Sequence, residues 1–138
     1  MTVVAGGNGE LVAWVGAGTR ELVAATLEAH SAAAADSVSC GTRSEECRRQ
    51  RRYGRQVAEL QRQLGETSGP VVLSGPTALV VEVVRDTTVQ ATHDLDSLLE
   101  SIAATPRPLS EDTIVELRAC AQAAATCVEA LIACESSR

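Results

Sequence analysis

Three cysteines recur at every seventh position near the end of the chain, in CAQAAATCVEALIAC: Cys120, Cys127 and Cys134. Thiolates bind soft metals and carry redox chemistry, so this spacing is the first candidate for a site. Seven residues of helix rise about 10.5 Å, whereas a zinc–thiolate bond is about 2.3 Å. The three sulfurs therefore cannot share one ion. A single helix chelates through i,i+3 or i,i+4 pairs, which these cysteines do not form, and there is no C-x-x-C in the chain. The heptad instead reads as packing. Leu117, Ala124 and Leu131 make the middle of an apolar face, with Ile114, Ala121 and Val128 on one flank and the cysteines on the other.

A metal site would need residues from several helices. In an up-down order, His30, Cys40, Cys47 and Cys120 come within a few turns of one end of the molecule. That set is the alternative functional reading, a thiol-based Cu(I) or Zn site or a redox sensor. Otherwise no cofactor is implied.

The second candidate is the run CRRQRRYGR. Between Arg43 and Arg62 seven Arg stand against three Glu, a local charge of +4 in a chain of net charge −6. Arg48, Arg52, Arg55 and Arg62 share one helical face, with Arg49 beside them, and guanidinium forks suit carboxylate or phosphate recognition. An acidic remainder disfavours a nucleic-acid partner and favours a protein partner or a second subunit.

Other signals fail. His93 lies among acids on a polar face, and VVAGGNGELV lacks a G-K-[ST] because the chain has no Lys. No Glu-x-x-His pair marks a carboxylate-bridged di-iron bundle, and no nucleophile elbow is present. No catalytic residue is assigned.

These residues must be positioned by helices. Four segments carry helical signals, at about residues 10–36, 43–64, 76–104 and 111–135. The signals are Asn8 as N-cap, Thr42 with Glu45 as a capping box, Pro76 in a first turn and Ser110 as N-cap, with stops at Gly65 and Pro106. ALVVEVV, residues 78 to 84, and VVLSG, residues 71 to 75, are also strand-like, but the helical period running on to Ile102 favours helix for the former. The connections are short. The expectation is an all-α, antiparallel, up-down-up-down four-helix bundle in one domain of 138 residues.

With no Phe, one Trp and one Tyr, the core must be Leu, Val, Ile and Ala. Small contacts bury little area, so a homo-oligomer would supply more. The N-terminus has no signal-peptide pattern and no run reaches 18 apolar residues, which predicts a cytoplasmic protein, without a membrane partner, whose five cysteines are mostly reduced. The functional expectation is an interaction or regulatory module that self-associates, with its Arg-rich second helix facing an acidic partner or subunit.

Overall fold

The computed structural model describes residues 1–37, 45–66, 68–105 and 108–136. Cys40, Thr42, Arg43 and Pro106 lie outside them. Along the chain come β1 (Thr2–Ala5), β2 (Glu10–Val15), α1 (Ala17–Ser37), α2 (Glu45–Leu64), β3 (Val71–Pro76), α3 (Thr77–Ala104) and α4 (Glu111–Ser136). The all-α bundle is thereby overturned: four helices accompany a three-stranded antiparallel sheet of order β1-β2-β3, so the fold is mixed α/β.

The error lies at the start. Leu11 and Val15 are spaced for a helix, but Leu11, Ala13 and Val15 also alternate, and all three are buried as a strand would bury them. The deciding residues precede them. Asn8 and Gly9 both hold positive φ, 60° and 75°, and Glu10 N–H donates to Gly7 C=O across them. Asn-Gly at two such positions makes a tight hairpin turn, not a helix cap. β1 and β2 then pair with Thr2 opposite Trp14 and Ala5 opposite Leu11.

The strand-like segment 71–76 forms a strand that pairs with β2; Leu11 faces Gly75 and Val15 faces Val71. Pro76 flanks α3, whose helical period does run unbroken from Thr77. α2, α3 and α4 otherwise start and stop within two residues of expectation. Ser110 caps α4, its hydroxyl accepting from Thr113 N–H at 3.2 Å.

One face of the sheet is the core face. Val3, Leu11, Ala13, Val15 and Leu73 meet Val23 and Leu27 of α1, Val57, Leu60 and Leu64 of α2, and the Leu79–Val84 turn of α3. Gly75 lets β3 approach α2: a Cβ there would lie 3.2 Å from Leu60 Cδ2. A smaller cluster of Ala91, Ala124 and Cys127 joins α3 to α4, where Thr88 Oγ1 donates to the Cys127 carbonyl at 3.1 Å. α2 packs on α1 and β3 and has at most slight contact with α3 and α4, because β3 intervenes.

Candidate functional site

The arginine face of α2 points to solvent. Arg48, Arg49, Arg51, Arg52, Arg55 and Arg62 are all exposed, because α2 turns Cys47, Val57, Leu60 and Leu64 inward. Two of the arginines are answered within the helix. Arg49 pairs with Glu45 at 3.5 Å, and Arg62 donates from Nε to Glu59 at 2.8 Å. The Arg62 hydrogen bond, helped by Gln63, holds the Glu59 carboxyl down to about 2. Among the described residues, Arg48, Arg51, Arg52 and Arg55 have no ion pair. Arg52 and Arg55 line a cleft of about 330 Å³ between α2 and β3, with Glu10, Glu59 and Gln63 on its walls.

A second constellation joins three helices. His30 of α1 sits between Tyr53 of α2, which meets its Nδ1, and Asp86 of α3, whose Oδ2 lies 2.7 Å from Nε2. An ionised carboxylate only accepts, so Nε2 carries a proton; in the neutral ring Nδ1 then accepts from the Tyr53 hydroxyl. The order of partners is that of a base oriented by a carboxylate. The phenol at its end is nevertheless held protonated: burial, then the charges of Glu82 and Asp86, raise its pKa above 10.0. The three side chains tie α1, α2 and α3 together. The sequence hid it, since its members are 23 and 56 residues apart.

His30 was also in the candidate metal set. Both of its ring nitrogens are engaged as described. Cys47 is buried and disulfide-bonded, which departs from the expectation of mostly reduced thiols. Cys120 is a half-buried free thiol on α4, and Cys40 lies outside the described residues. Among the described residues no group of three or more His, Cys, Asp or Glu could hold a metal ion.

No protein-family model matches this chain, and neither a curated protein nor a solved structure does. The functional reading rests on surface chemistry.

Two further surfaces escaped the sequence reading. The outer face of the sheet carries Val4, Val12, Trp14 and Val72, and Trp14 is 57% exposed. On α4 the apolar face is rotated from the expected one. Cys127 and Cys134 are buried with Ala124 and Ala130, whereas Leu117 and Leu131 are half-buried. The cysteine flank is thus the centre of packing, and burial raises the Cys127 thiol pKa. Among the described helices α4 alone is long and apolar enough to cross a membrane, with a mean hydropathy of 1.3 over 18 residues. In this fold it packs on α3 and β1.

Arg20, also unforeseen, is buried on α1. Its guanidinium donates to the Leu64, Gly65 and Gly69 carbonyls just where α2 ends. A cation there answers the negative end of the helix dipole and the unpaired terminal carbonyls.

Proposed function

We propose that the chain is a small interaction or regulatory module that self-associates and presents the arginine face of α2 to an acidic surface of a partner or of another copy. One observation carries this reading. Arg48, Arg51, Arg52 and Arg55 are exposed and without an ion pair among the described residues. The chain's own acids form no ion pair with them among the described residues: α3 and α4 hold five acids and one arginine each, yet α2 has at most slight contact with either. Opposite fields on separate surfaces of one molecule favour association between molecules and steer it. The chain's net charge of −6 also disfavours a nucleic-acid partner.

Light scattering behind gel filtration tests the reading across salt concentrations. Oligomers that weaken with salt are expected. A monomer indifferent to concentration and salt rejects self-association. For the acidic partner, a fluorescent polyglutamate peptide is the probe, and binding unchanged when Arg48, Arg52 and Arg55 are replaced with Gln rejects the arginine face.

A cytoplasmic location belongs to the same proposal. That Cys120, Cys127 and Cys134 form no disulfide supports a reducing compartment, while the Cys47 disulfide fits an oxidising one. Thiol counting on protein taken directly from cells, before any oxidation, decides between them.

A further inference from the structure

α4 carries a second apolar stripe that the chain leaves open. Turned away from the buried Ala124, Cys127, Ala130 and Cys134 are Ile114, Ala121, Ala125, Val128 and Ile132. Val128 is 39% and Ile132 61% exposed, both alanines are exposed, and Ile114 is half-buried. Only 22% of the most apolar 18-residue window of this helix is buried. An apolar helix so poorly covered marks an interaction site.

The stripe is symmetric. From Ile114 to Ile132 is about five turns, so the two isoleucines stand in line roughly 27 Å apart. Ala121 and Ala125 lie at the midpoint, where small side chains let another helix approach. Along one edge stand Arg118 and Glu129, eleven residues apart and hence on the same side after about three turns. Both are exposed, and neither has an ion pair among the described residues.

These positions fit a second copy of the same helix. An antiparallel partner related by a two-fold axis level with Ala123 brings Ile114 to Ile132 and Ala121 to Ala125. It also brings Arg118 within one residue of Glu129, twice per pair. A two-fold interface requires such self-complementarity.

We propose that two copies pair through the open stripe of α4, antiparallel and two-fold symmetric, with Arg118 of each copy against Glu129 of the other. This rests on the self-association proposed above and assigns its contact.

The test uses the full chain in sedimentation equilibrium. The wild type should dimerise. Arg118→Glu and Glu129→Arg should each weaken the dimer at least tenfold, since each sets like charges together twice. Mixed in equal amounts, the two variants should pair with each other and not with themselves. Neither position has an ion-pair partner among the described residues, so circular dichroism and thermal melting should be unchanged. A wild-type monomer would overturn both the contact and self-association. A wild-type dimer with both variants undiminished would overturn the contact alone. Variants that weaken but fail to pair on mixing would overturn the antiparallel register. Stable insertion of the wild type into phosphatidylcholine vesicles would assign the stripe to lipid and overturn the pairing.

Discussion

The side-chain amide of Gln63 brackets the backbone of Ser74. Its Oε1 accepts from Ser74 N–H at 2.7 Å, and its Nε2 donates to Ser74 C=O at 3.0 Å. Ser74 lies on β3, which ends the sheet, so one amide does what a further strand would do. An open edge is a template for pairing with other chains. Gln63→Ala should cost about 1–3 kcal/mol, because it strands two partly buried backbone groups. Urea unfolding would measure the loss. Gln63→Glu should keep the Ser74 N–H bond, lose the C=O bond and fall between the two.

Glu59 should make stability fall in mild acid. Its carboxyl is held at about 2, first by Arg62 and then by Gln63, against an ordinary value of 4.5. A depressed folded-state pKa contributes stability that is present above the ordinary value and lost as pH falls toward 2. The side chain is exposed, so salt should weaken the effect. Thermal melts of wild type and Glu59→Gln should converge between pH 4.5 and 2. Curves that stay parallel would refute the role.

Tyr53 should show the opposite dependence. Its pKa is raised, so folding favours the protonated phenol; that contribution is whole below pH 10 and is lost as pH rises through the higher folded-state value. It is the only tyrosine, so phenolate absorbance reports it alone. The native midpoint should lie above that of the chain in denaturant. Tyr53→Phe removes the hydroxyl from His30 and should cost about 1 kcal/mol.

Thiol reactivity should follow burial. Cys127 and Cys134 are 0% exposed, while Cys120 is half-buried. With a maleimide and no reductant, Cys120 should label first. Cys127 and Cys134 should label only on unfolding, Cys127 more slowly still at neutral pH because burial raises its pKa. Cys47 should label only after reduction. Mass spectrometry of peptides checks the order, and fast native labelling of Cys127 would contradict it.

Much of this protein follows from its sequence alone. Capping residues, proline and the apolar period place α2, α3 and α4 to within about two residues, because those signals are local. The arginine face is equally local: helical spacing puts Arg48, Arg52 and Arg55 on one side wherever the helix packs. Helical rise alone keeps Cys120, Cys127 and Cys134 from one ion.

Tertiary structure decided the rest. Leu11 to Val15 satisfies a helix and a strand alike, and the partner 60 residues away in β3 makes it a strand. Asn8–Gly9 announced the hairpin, and that signal was readable beforehand. The His30–Tyr53–Asp86 brace and the Arg20 cap had no such signal, since their partners are distant in the chain and meet only by packing. Which side of α4 is covered was also undetermined, because the helix is apolar on more than one side and only its neighbours select among them.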